Sequence, residues 1–221
     1  MEKVEQDLRE RLAKVGRDLF KTGLTYGTAG NISARIPGTN NCLIKPSMFS
    51  FDELNPEHFI TVDIYTRKVV SGDHKPSIET PFHTTMYKIR ADVGGVVHVH
   101  PHYATLFAIA EVELVPMGML VFNTPTLAKG VGIAKYAPPG TEELAQNIAE
   151  GMGDKYAVLM PHHGITTIGK TIEEAATIAR SVEDLAKLQY EVMQIGKPKP
   201  LPEPSLKMIV EMIKKRGAIL S

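Results

Sequence analysis

The sequence predicts an α/β fold in which one sheet is covered by helices. Amphipathic helical stretches alternate with short β-branched runs along the 221 residues. Two of the apolar runs end in histidines, at His98-Val99-His100 and at His162-His163. At 43% hydrophobic and 23% charged residues the composition is ordinary for a globular chain. Its length suits one sizeable core, so a single domain over residues 1–221 is expected.

Charge and cysteine content narrow the function. The 25 basic and 25 acidic residues cancel, which gives no reason to expect nucleic acid or an anionic membrane as partner. The single cysteine, Cys42, excludes an internal disulfide framework and suits a reducing compartment. Met1 to Asp7 lack the apolar core of a signal peptide, and no run approaches the roughly 18 apolar residues of a membrane helix. A cytoplasmic protein is expected.

In chain order, Val4, Leu8, Leu12, Val15 and Leu19 recur at helical spacing, so residues 3–22 read as a helix stopped by Gly23. Tyr26 to Ser33 follows, rich in glycine and small polar side chains. It is either an anion-binding nest or an ordinary helix-to-strand turn. Residues 32–36, 42–45, 58–64 and 67–71 read as strands, with Lys45-Pro46-Ser47-Met48 in a connection. Ser77 is the expected N-cap of a helix over 79–90. Glu79 and His83, four apart, share a face of that helix. Further on, residues 103–110 read as helix, 115–123 as strand, 141–150 as helix, and 157–160 and 165–168 as strands. A long helix spans 172–195, and the prolines of residues 197–204 lead to a last helix over 205–216.

The chemistry gathers at Val96-Val97-His98-Val99-His100-Pro101. On a strand, residues two apart face the same way about 7 Å apart, so His98 and His100 can converge on one ion while Val99 faces the opposite side. A borderline cation such as zinc takes neutral imidazole well. A third ligand is available at His162 or His163, which end a second buried strand. Glu79 adds a carboxylate able to move protons, or else serves only as a favourable partner for its helix dipole.

Four segments, Gly27-Thr28-Ala29-Gly30-Asn31-Ile32-Ser33, Pro76-Ser77-Ile78-Glu79, His98-Val99-His100-Pro101 and His163-Gly164, occur in the order and spacing of a known family. In this the chain resembles the class II aldolase and adducin head-domain family, from the first helix to about Ile195. The resemblance implies a three-layer α/β/α fold with a central, mainly antiparallel sheet. It also implies a homotetramer with active sites between subunits. Residue by residue, it implies Zn2+, or another divalent cation such as Mn2+ or Co2+, held by His98, His100 and His163. The family's His-Gly pattern selects His163 over His162. Glu79 falls where the family has an acid/base that also touches the metal. Gly30, Asn31, Ser47, Met48, Ser77 and Ile78 fall where it binds a substrate phosphate.

Two of those positions depart from the family's pattern. Met48 stands where glycine is common, which obstructs close backbone approach, and Ile78 replaces a serine hydroxyl with apolar bulk. No tyrosine follows Tyr190, although the family's aldolases carry a functional tyrosine in the tail. The expected activity is a metal-dependent aldolase acting on a ketose 1-phosphate. The alternatives are a metal lyase or decarboxylase acting on a non-phosphorylated or aromatic acid, and a non-enzymatic, adducin-like interaction module.

Overall fold

The structure, a computed structural model, describes residues 2–219; residues 1, 220 and 221 lie outside the description. Helix α1 (Glu2–Lys21) leads into β1 (Asn31–Arg35), β2 (Asn41–Ile44), β3 (Ile60–Asp63) and β4 (Val69–Ser71). Then come α2 (Thr80–Ile89), β5 (Gly95–Val99), α3 (His102–Ala110), the single turn α4 (Leu120–Asn123) and β6 (Gly132–Ile133). The chain closes with α5 (Glu142–Met152), β7 (Ala157–Met160), β8 (Gly164–Gly169), α6 (Ile172–Ile195) and α7 (Glu203–Ile219).

All eight strands join one sheet in the order β4-β3-β2-β1-β5-β8-β7-β6. Every pairing is antiparallel except β6 with β7. Strand alternation splits the apolar residues into two cores. Val97 and Val99 of β5 join α1, α3 and α6 in one core, whereas Val96 joins α2 and α5 in the other. The result is the three-layer α/β/α arrangement expected. His98 shares its parity with Val96 and therefore lies under α2.

Two expectations need correction. Residues 115–123 form no strand: Val115 donates its N–H to Gln189 Oε1 on α6, and Pro116 and the left-handed Gly118 (φ 67°) break any ladder. Ser77 is not the N-cap of α2. Glu79 occupies that position, and the Ser77 hydroxyl, two residues earlier, accepts the Glu79 N–H at 3.2 Å. The short β6 also carried no sequence signal, being only two residues long. No helix among the described residues is long and apolar enough to cross a membrane.

Candidate active site

Three strands build the floor of the site. In the register of the sheet, Asn31 of β1 lies opposite His98 of β5, and His98 opposite Thr166 of β8. This row faces α2. His98 is fully buried, and its Nδ1–H donates to the Ile165 carbonyl at 2.9 Å, leaving the Nε2 lone pair aimed into the site. His100, just beyond the strand, brings its Nε2 to 2.9 Å from His98 Nε2.

His163 comes from the tight connection between β7 and β8, where its N–H donates to the Met160 carbonyl at 3.0 Å. The glycine that follows it has a steric reason. A Cβ on Gly164 would sit 2.5 Å from the Val99 carbonyl oxygen and 2.7 Å from His100 Cδ2. Any larger residue would push the two histidine-bearing segments apart. His162 takes a left-handed conformation (φ 56°), is exposed and turns toward Tyr136, outside the cluster.

Glu79 closes the site from above. Although it stands at the start of α2, its carboxylate makes no capping bond to the helix, so the dipole does not account for its orientation. Oε2 lies 3.4 Å from His98 Nε2 and Oε1 lies 3.4 Å from His163 Nε2. Burial, only partly opposed by a hydrogen bond from Asn31, raises its carboxyl above the ordinary range. Burial also keeps the imidazoles neutral: His98 falls well below the usual histidine value, His100 is lowered, and His163 drops to about 4.

The donor set fits a divalent cation. One ligand atom each from His98, His100 and His163 lies within 4.8 Å of the others. Glu79 Oε1 is buried with no hydrogen-bond partner among the described residues, a costly state for a carboxylate oxygen without a cation. Three neutral imidazoles with an adjacent carboxylate match the chemistry of a catalytic zinc site.

The six positions expected at a phosphate come together. Gly30, Asn31, Ser47, Met48, Ser77 and Ile78 line one cleft of about 160 Å³, with Thr28, Lys45, Pro46 and Glu79. At Gly30 (φ 80°) a Cβ would meet the His98 carbonyl oxygen at 2.5 Å, so the loop can run this close only as glycine. Met48 adopts φ 63°, the conformation a glycine would take freely, and its side chain is 79% exposed. It therefore shapes the rim of the cleft, and Ile78, 66% exposed, does the same. The Asn31 side chain is engaged by Glu79 at 2.7 Å and by His83 at 2.5 Å.

Lys45 is the residue the sequence reading passed over. It is 2% exposed; among the described residues its ammonium bonds the Thr28 and Pro46 carbonyls, at 3.4 and 3.5 Å, and sits 4.9 Å from the centre of the Phe51 ring. Burial lowers it to about 8. The available signal was its position two residues before Ser47 in the same connection, but a single lysine between strands has no pattern of its own.

A family model described as the class II aldolase and adducin N-terminal domain matches residues 10–190. The chain belongs to this family. Its relatives include a 5-deoxy-D-ribulose 1-phosphate aldolase of Bacillus thuringiensis, 33% identical over 213 residues, 96% of this chain and 98% of that one. A 3-oxo-tetronate 4-phosphate decarboxylase of Escherichia coli is 32% identical over 191 residues, 85% of this chain and 88% of that one. A solved L-fuculose 1-phosphate aldolase superposes with a TM-score of 0.88 at 33% identity, covering 94% of this chain and 96% of its own. The chain is thus a class II aldolase-type lyase, of a family dependent on divalent metal and with relatives that act on sugar phosphates.

Proposed function

We propose that the protein is an aldolase that reversibly splits a short deoxyketose 1-phosphate into dihydroxyacetone phosphate and an aldehyde. The observation that carries this reading is the juxtaposition of two features. Glu79 lies 3.4 Å from both His98 and His163 of the imidazole triad, and the same residue lines a cleft that holds the buried Lys45 ammonium among small polar groups. The names of the aldolase relatives support the substrate class, since 5-deoxyribulose 1-phosphate and fuculose 1-phosphate both end in a methyl group.

In this reading His98, His100 and His163 hold a divalent cation, with Zn2+ the best match to three nitrogen ligands and Glu79 at its margin. When bound, it supplies Lewis acidity toward the substrate's carbonyl and neighbouring hydroxyl oxygens. Lys45, Ser47, Ser77 and the Gly30 loop orient the phosphate and contribute binding energy away from the reacting carbons. In cleavage the proton of the C4 hydroxyl ends on C3 as the C3–C4 bond breaks. Glu79 delivers the proton to C3 and removes it in the reverse direction. Its burial, which favours the protonated form, suits a carboxyl that must carry a proton between steps.

A decarboxylase relative gives a second reading, in which the same site releases carbon dioxide from a phosphorylated keto acid. Assays of the metal-loaded protein with 5-deoxyribulose 1-phosphate, fuculose 1-phosphate and 3-oxo-tetronate 4-phosphate decide between them. Aldehyde release from the ketose phosphates supports the aldolase, and turnover of the keto acid alone would replace it. A homotetramer in the cytoplasm completes the proposal. Exposed Met119, Ile195, Met208 and Met212 supply apolar surface for association, and light scattering at micromolar concentration tests it.

A further inference from the structure

Behind Glu79 runs a buried chain of hydrogen bonds that the reaction as described does not use. Tyr87 OH lies 2.7 Å from Ser33 Oγ, and Ser33 Oγ lies 2.7 Å from His83 Nδ1. His83 Nε2 lies 2.5 Å from Asn31 Oδ1, and Asn31 Nδ2 lies 2.7 Å from Glu79 Oε2. His83 and Ser33 are fully buried, Tyr87 is 2% exposed and Asn31 4%. We infer that His83 is a positioning residue: through Asn31 it ties down Oε2 of Glu79 and leaves Oε1 as the oxygen that exchanges protons with the substrate. This inference rests on the assignment of Glu79 as the acid/base.

The direction of the chain follows from its two ends. Next to a carboxylate the Asn31 amide must present its N–H, so its carbonyl faces His83. His83, neutral in its buried site, then donates from Nε2, and its Nδ1 accepts the Ser33 hydroxyl. Ser33 in turn accepts the Tyr87 O–H. Every group is satisfied with all donors pointing toward Glu79. Placing the proton on Oε2 would reverse each bond in turn. The Tyr87 O–H would then be stranded in the core, because Ser33 is its only hydrogen-bond partner among the described residues. Oε2 is therefore held as an acceptor. Oε1, which has no such partner and faces His163, is left for chemistry. Strand β1 supplies Asn31 and Ser33, while α2 supplies His83 and Tyr87 and its N-cap is Glu79, so the chain also locks the helix that follows the carboxylate onto the sheet.

The test joins a spectroscopic and a kinetic measurement on the full chain. Nitrogen-15 NMR of the imidazoles, with the His83 signal assigned by its loss in His83→Gln, should show His83 protonated at Nε2 with Nδ1 as acceptor. An Nδ1–H tautomer would overturn the inference. His83→Phe removes the donor to Asn31 and should lower kcat on the order of tenfold or more, the usual scale for losing an outer partner of a metal-site residue. Its KM and bound metal should stay within about twofold of wild type, since His83 itself neither lines the cleft nor belongs to the imidazole triad. His83→Gln, whose amide can donate at the Nε2 position, should restore most of kcat. If both variants melt earlier but turn over normally, the role is packing alone and the inference is wrong. Should His83→Phe fail to fold, the tautomer decides alone. Glu79→Gln run alongside separates the layers: near-normal turnover there removes the acid/base assignment itself, whereas an inactive Glu79→Gln beside an active His83→Phe removes only the positioning role.

Discussion

The two parts of the proposed active site are built in different ways. At the histidine end, strand pairing sets the geometry: Asn31, His98 and Thr166 lie in one cross-strand row, and His98 is completely buried. At the proposed anion end, loops set it, with Gly30 and Met48 both at positive φ and with Met48 and Ile78 largely exposed. Position at the first end depends on backbone ladders that many residues hold in common. At the second it depends on a few local conformations. Changes at the histidine end should therefore remove chemistry outright, whereas changes at the anion end should alter affinity and choice of substrate.

The largest effect tests the histidine end directly. His98→Ala and His163→Ala should each lose bound metal and with it nearly all turnover, while His162→Ala, an exposed residue, keeps both. Elemental analysis of the three proteins checks this, and unchanged metal in the first two would sink the site. Next, Glu79→Gln should cut turnover by about 10²-fold or more while metal stays bound, the usual scale for removing a general acid or base. A variant with near-normal turnover and only a lower melting temperature would make Glu79 a structural residue.

At the anion end, Lys45→Met should raise KM for a ketose phosphate by about tenfold or more, in line with losing a charge-assisted hydrogen bond, and change kcat far less. Its stability should move the other way. Burial lowers the folded-state lysine to about 8, while the unfolded chain keeps the ordinary value near 10.5. Between those two values the unfolded state binds more protons, so wild-type stability should rise as pH increases from about 8 toward 10.5. Below that window the buried charge destabilises the fold, and at pH 7 Lys45→Met should melt higher than wild type. In the same wild-type protein, KM should climb above about pH 8 as the ammonium loses its proton. A KM flat to pH 10 would remove Lys45 from phosphate binding.

The smallest effect concerns the rim. Met48→Gly should relieve a left-handed residue, yet it also loosens the unfolded chain, so stability should shift by no more than about 1 kcal/mol. With the methionine directed to solvent, KM should be nearly unchanged. A several-fold fall in KM would show that the side chain obstructs the phosphate after all.

Much of this architecture was legible in the sequence because it rests on local periodicity. The period-2 alternation around His98 assigns Val97 and Val99 to one core and His98 to the opposite face, and the helical period places Leu8, Leu12, Val15 and Leu19 on one stripe of α1. The His-Gly pair at residues 163–164 could also be read, and its steric reason emerges only when His100 is seen packed against Gly164. Residues 115–123 misled the reading because an apolar run has no period that tells it whether its N–H groups will meet a strand or, as for Val115, the amide of Gln189 on a distant helix. What only the tertiary structure decided is of that same kind. The burial of Lys45, the turning of Glu79 away from its helix, and the chain from Tyr87 to Glu79 all join residues from different elements. Local sequence spacing determines which face a side chain takes, but whether a buried polar group finds its partner depends on segments brought together across the sheet, some 50 residues apart along the chain.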